Sequence, residues 1–279
     1  MSRIPAATLM EKFIEDGHYP ELKKTEGTLK TLTNSIKTAL ESSESKRHVF
    51  EKWNLVGRFT AKKIYNVDYI GLNEYLYDVG LLLQVAEIDN NAIKTNELYH
   101  DMIQDFRLPE TFYVKPNFNK AGKELIKSDF EIPDYWGINE AAQHIGQLKP
   151  RAKELAHQYE GLKSKLLHLI EKDQQKSIKQ PIPHKYGSLS WVANQPKYDI
   201  SAIYDYLGEG LLIEYGKPNS KLLEHYILNG MLSERDIEPF KTVKDIRLDF
   251  SVMTLEDEEK FLTMMDIKKQ ISAANRVGA

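Results

Sequence analysis

The residues that come nearest to a hydrolytic constellation are Asp249, on a segment that alternates as a strand would, and Glu258, Glu259 and Lys260 just after it. Two carboxylates can hold Mg²⁺ while a lysine steadies a water for phosphodiester attack. That chemistry wants both groups on a strand. Glu258 and Lys260 instead fall in the first turn of a predicted helix, where acids favour the helix dipole. His157 and His168 stand eleven positions apart on a predicted long helix. This is about 16 Å along the axis, too far to share one metal ion. There is no Gly-rich phosphate loop, nucleophile elbow, His-Glu-x-x-His or kinase signature. The chain has no cysteine, which removes disulfides, thiolate nucleophiles and Cys-ligated metals. The expectation is a non-enzymatic protein with no catalytic residues, no metal and no cofactor.

Two patterns point to binding instead. The first runs through Ile138, Ala141, Ile145, Leu148, Ala152, Leu155, Tyr159, Leu162, Leu166 and Leu169, with steps that alternate three and four throughout. Such a heptad seam keeps one helical stripe facing a partner helix. Leu148, Leu155, Tyr159, Leu162, Leu166 and Leu169 are the predicted partner-binding residues. The cleanest helix is 148–173, with Pro150 in its first turn. The second pattern is a candidate helix-turn-helix at 138–155, in which a turn at Gly146 would let Gln147, Lys149, Arg151 and Lys153 reach base edges or phosphates. Those residues could equally begin the long helix. Gln147 stands where that motif prefers an apolar side chain.

Composition bounds the rest. The 38 basic and 41 acidic residues give a net charge of −3, and hydrophobic residues make up 41% of the 279. This is a globular balance, which excludes wholesale disorder and a uniformly basic platform for nucleic acid but leaves room for a local basic face. Charge at Glu11 and Lys12 precedes any apolar run long enough for a signal peptide, so a cytoplasmic protein without a membrane partner is expected. The 15 tyrosines lie mostly within apolar helices, as in 64–70, and suit core and interface roles better than stacking platforms.

The elements that must position these residues read as follows. Residues 20–41 carry an apolar stripe of Leu22, Leu29, Leu32, Ile36 and Leu40, and a second helical group spans 46–87. Phe112 and Val114 alternate between two prolines as an edge strand. Gln180-Pro-Ile-Pro-His184 marks a boundary. Beyond it Leu189/Trp191 and Leu248/Phe250/Val252 alternate as strands expected to pair with each other, and a helix from Leu255 to Ala274 closes the chain. The fold class is mainly α: a helical N-terminal part (1–136), a long heptad-patterned helix (137–178) and a small α+β C-terminal part (184–279). An echo links 68–82 with 199–212. Each opens on Asp, carries an acid-Tyr-Leu core and closes on Gly-Leu-Leu, with Gly80, Gly210 and, in a looser third version, Gly230 as the releasing glycines. Shared capping grammar is the simpler account, with an internal duplication as the alternative.

Over 148–207, the order of long helix, linker, Ser190-Trp191 strand and Pro196-Lys-Tyr-Asp-Ile200 helix start is similar to the tail region of phage YqaJ-type recombination nucleases. The stretch holds no catalytic motif. The resemblance implies a phage or mobile-element protein acting near DNA. The leading functional expectation is an adaptor, regulator or inhibitor that binds another protein or itself as a homo-oligomer; the alternative is a DNA-binding regulator using 138–155.

Overall fold

The computed structural model describes residues 5–173 and 180–274. In chain order it runs α1 (Pro5–Glu15), α2 (His18–Leu40), β1 (Arg47–Phe50), β2 (Leu55–Val67), α3 (Tyr69–Asp78), α4 (Leu82–Val85), β3 (Ala86–Ile88), α5 (Glu97–Met102), β4 (Phe112–Phe118) and α6 (Lys120–Ile126). There follow α7 (Ile138–Asp173), β5 (Ile182–His184), β6 (Gly187–Ala193), α8 (Ile200–Leu207), α9 (Glu209–Tyr215), β7 (Gly216–Pro218), α10 (Ser220–Leu228), α11 (Glu234–Ile237), β8 (Lys241–Thr254) and α12 (Leu255–Ala274). Helix makes up 59% and strand 22%, so the chain is mainly α with small sheets.

Local chemistry sets many of these boundaries. Asp68, Asn119, Asp199 and Asn219 each accept a backbone N–H bond from the first turn of α3, α6, α8 and α10. Gly80 and Gly230 take the left-handed conformation, and in the second echo that role falls to Gly208 rather than Gly210, which lies inside α9. α7 runs back through Pro150 to Ile138. Pro150 is exposed, where a carbonyl that loses its helical donor can be met by water.

Two expectations are corrected. Residues 47–50 and 55–67 are the strands of a hairpin, not the start of a helical group: Leu55, Val56, Gly57 and Phe59 are buried at the beginning of β2, and a short apolar run of that kind fits either period. The strands after the Pro-Ile-Pro segment do not pair with each other. β6 lies between β4 and β5, whereas β8 lies beside β2 in a sheet ordered β1-β2-β8.

The chain forms two compact units, neither of them a continuous stretch of sequence. The first comprises residues 1–60, 111–194 and 250–255. Here α2 packs along α7, α1 packs on both, and the sheets close the core. Leu32, Ile36 and Leu40 meet Ala141, Ala142 and Ile145 with Phe50, Leu55 and Val252. Further along α7, Leu162, Leu166 and Ile170 meet Met10 and Ile14 of α1 and Val114, Ile182 and Leu189 of the β4-β6-β5 sheet. The second unit comprises 61–110, 195–249 and 256–279. Its core joins Leu72 and Leu76 of α3 to Ile203, Leu211 and Leu212 of α8 and α9, around the two-stranded β3–β7 ribbon.

Within both units one arrangement occurs twice, over 18–126 and 138–274. Each copy is a helix, a β-hairpin, a helical module, a strand and a helix. In the first unit each sheet joins the hairpin of one copy to the strand of the other, β1-β2 with β8 and β5-β6 with β4. Leu255 N–H donates to Asn54 carbonyl at 3.2 Å, and Asn119 N–H donates to Tyr186 carbonyl at 3.0 Å, each bond tying a helix start to a hairpin turn. In the second unit Asp68 N–H donates to Phe240 carbonyl at 2.8 Å and Asp199 N–H to Phe106 carbonyl at 2.9 Å, so the start of each module is bonded to the end of the other. At the ribbon Glu87 lies opposite Lys217. It is flanked by Asp89 N–H to Tyr215 carbonyl and Asn219 N–H to Val85 carbonyl, both 2.8 Å. The 68–82 and 199–212 echo therefore occupies equivalent places in a repeated fold. Capping grammar alone does not explain reciprocal bonds.

One buried titratable group in the first unit carries a pH prediction. His184 Nδ1 accepts the Tyr186 N–H at 3.2 Å, and burial holds the imidazole below its ordinary value despite the opposing pull of Glu11. The unfolded chain then binds a proton that the folded chain refuses. Stability is full above the ordinary value of about 6.5 and declines as pH falls below it. Urea midpoints at about pH 7.5 and pH 5 should differ less for His184→Gln than for the natural chain. An equal difference would show that His184 is not responsible.

Candidate interaction surfaces

The heptad seam is occupied within the chain. Leu155, Leu162 and Leu166 are buried, and Leu148, Tyr159 and Leu169 are half-buried against the same cores. Tyr159 meets Tyr19 of α2 in a tilted ring pair at 5.0 Å between centroids, and burial raises both hydroxyls above their ordinary value. The stripe of α2 covers the first half of α7, and α1 with the β4-β6-β5 sheet covers the second. No long stretch of the seam is left open for another chain.

Residues 138–155 are the first part of one continuous helix, with no turn at Gly146. The four side chains proposed to read DNA are spread in role. Arg151 grips Glu21 with two bonds of 2.7 Å and Glu154 with one of 2.8 Å, and the bond to Glu21 holds the carboxyl below its ordinary range. Lys149 Nζ donates to the Val252 carbonyl at 2.5 Å. Gln147 and Lys153 are exposed. Two of the four thus serve packing within the first unit.

Asp249 pairs with Arg247 at 2.6 Å, and Glu258 is 2% exposed at the start of α12 while Glu259 and Lys260 face solvent. Among the described residues no group of three His, Asp or Glu side chains is placed to hold a metal, and no helix is long and apolar enough to cross a membrane. Two cavities of about 290 and 450 Å³ sit in the second unit. They are equivalent under the repeat: Val67, Tyr69, Pro218 and Ser220 of one correspond to Tyr198, Ile200, Ile88 and Asn90 of the other. The smaller is floored by Leu223 and Ile227, and the larger is lined by Asp89, Asn91 and Lys197.

A surface that the sequence reading passed over lies on α12. Phe261, Leu262, Met264, Met265 and Ile267 are between 38% and 58% exposed. At roughly 100° per residue they cover about 220° of the helix circumference, wider than the stripe a surface helix needs for its own core. The signal was present as five large apolar residues within seven positions. It was masked by the charge of the first turn, which drew the reading to capping alone.

No family model matches the chain, no curated protein matches it, and no solved structure matches it, so its function is argued from these surfaces.

Proposed function

We propose that the protein works by non-catalytic binding of another protein chain, a second copy of itself, through the second half of α12. The observation that carries this is the exposed apolar arc from Phe261 to Ile267. Contiguous apolar surface of this kind marks interaction sites on folded proteins. Self-pairing is favoured by charge. α12 opens on exposed Glu256, Asp257 and Glu259, with Glu258 buried, and carries Lys268 and Lys269 near its end, where they also pair with Glu224 and Asp266. An antiparallel pair of α12 helices centred near Met264 sets the acidic turn of each beside the lysines of the other, as a two-fold interface requires. The seam of α7 serves this reading indirectly, by building the first unit.

Sedimentation velocity over a dilution series is the test. The natural chain should shift from dimer to monomer on dilution. Met264→Lys with Ile267→Lys should raise the dissociation constant by about 100-fold or more, since burying such a side chain contributes about 1.5–3 kcal/mol. The circular dichroism of that variant should be unchanged. A natural chain that stays monomeric at the highest concentration would overturn the reading.

A further inference from the structure

A second surface, independent of α12, is formed where β2 and β8 run on through the second unit as residues 61–67 and 241–249. β1 pairs with Leu55–Arg58, so beyond that point β2 has β8 on one side and, among the described residues, no strand on the other. The Asp68 N–H to Phe240 carbonyl bond and a Thr242 Oγ1 to Asn66 carbonyl bond at 3.5 Å fix the end of the ribbon. Every residue from 242 to 248 is exposed, and so are Ala61, Lys62, Lys63, Tyr65 and Asn66. A two-stranded ribbon uncovered on this scale gains little from its own packing.

Its charge is unlike that of the whole protein. Residues 61–67 and 241–249 hold Lys62, Lys63, Lys241, Lys244 and Arg247 against Asp245 and Asp249, five cations to two acids, or +3 in a chain of net −3. Arg247 is paired with Asp249. Among the described residues Lys62, Lys63 and Lys244 make no ion pair. Lysines also protect sheet edges from pairing with other chains. Protection does not require three cations on β8 and two on β2 together with exposed Tyr65, Ile246 and Leu248.

We infer that this ribbon is a binding surface for duplex nucleic acid. Two strands about 4.8 Å apart, with their side chains, match a major groove about 12 Å wide. Successive side chains of a strand point to opposite faces, so with the open edge of β2 entering the groove Lys62 and Lys63 reach phosphates on its two walls and Lys244 of β8 adds a third contact. The lysines of 138–155 take no part.

The test uses the full chain and a fluorescently labelled random-sequence duplex of about 20 base pairs, read by anisotropy. Three phosphate contacts give a log–log salt slope of about −2.7, so affinity should fall roughly 40-fold between about 50 and 200 mM salt. K62E/K63E/K244E should abolish binding with an unchanged thermal melt. K62Q/K63Q/K244Q, which removes the charges without adding new ones, should flatten the salt slope by about 2.7. K153E should bind as the natural chain does. The inference is overturned if the natural chain does not bind duplex at low salt, if the glutamine variant keeps the full slope, if K153E loses binding, or if single strands compete as well as duplex.

Discussion

Replacing Asn73 with leucine is expected to lower the stability of the second unit by about 2–4 kcal/mol, although the two side chains are close in size. Asn73 is fully buried on α3, and its Nδ2 donates to the carbonyls of Leu212, Ile213 and Gly216 at 3.2, 3.0 and 2.8 Å. Leu212 and Ile213 belong to the last turn of α9, where the Leu212 carbonyl also accepts the Gly216 N–H and the Asn73 amide is a second donor to it. One amide group with two N–H bonds thus serves three acceptors. Leucine would fill the space and remove the amide donor from the Ile213 and Gly216 carbonyls, at about 1–3 kcal/mol each, while the Leu212 carbonyl keeps the Gly216 N–H. Gly216 is itself required at this turn, since a Cβ there would stand 2.1 Å from the Leu212 carbonyl oxygen. Asn73→Asp should be worse at neutral pH, because it presents an acceptor to three acceptors and buries a charge. Its carboxyl would be driven up by that surrounding, so the Asp variant should recover stability as pH falls and the group protonates. Urea midpoints for the three proteins at two pH values decide the matter. A leucine variant within about 1 kcal/mol of the natural chain would show that water replaces the amide.

The parts of this molecule that were legible are those written in neighbouring residues. The stripe of α2, the caps at Asp68 and Asp199, the alternation at Phe112 and Val114, and the charged start of α12 each rest on interactions within a few positions, and each element is present. What was not legible rests on pairings across more than a hundred positions. β8 returns to β2 and β4 reaches β6 because the two copies of the fold exchange strands, and no local pattern records that exchange. β3 and β7 have three residues each, too short to show any period, yet they sit at the centre of the repeat. Nothing in the residues around Asn73 marks its role, which is set by α9, some 139 positions away. The functional surfaces follow the same division. The arc on α12 could have been found by counting apolar residues, whereas the ribbon's charge emerges only once 61–67 and 241–249 lie in one sheet.

Leu162→Asp separates the two readings of the α7 seam most sharply. As a surface residue of an oligomer, Leu162 could accept the change at the cost of dissociation alone, leaving a folded monomer. In the structure it is 5% exposed and packs in one cluster with Met10 and Ile14 of α1, Leu166 of its own helix and Leu189 of β6. A carboxylate placed in that apolar cluster must either be neutralised or open the core, at a cost of several kcal/mol. Against a typical total stability of about 5–15 kcal/mol, that is enough to unfold the first unit. The milder Leu162→Ala should cost about 2–5 kcal/mol through the cavity it leaves, and the protein should remain folded. The expected results are loss of far-ultraviolet helical signal and amide protection in 5–60 and 111–173 for the Asp variant, and a lowered urea midpoint with an unchanged dimer constant for the Ala variant. On the proposed reading, in which α12 rather than α7 forms the interface, the dimer constant should not move. A soluble Asp variant that melts as the natural chain does but sediments as a monomer would place the seam between molecules and transfer the self-association from α12 to α7.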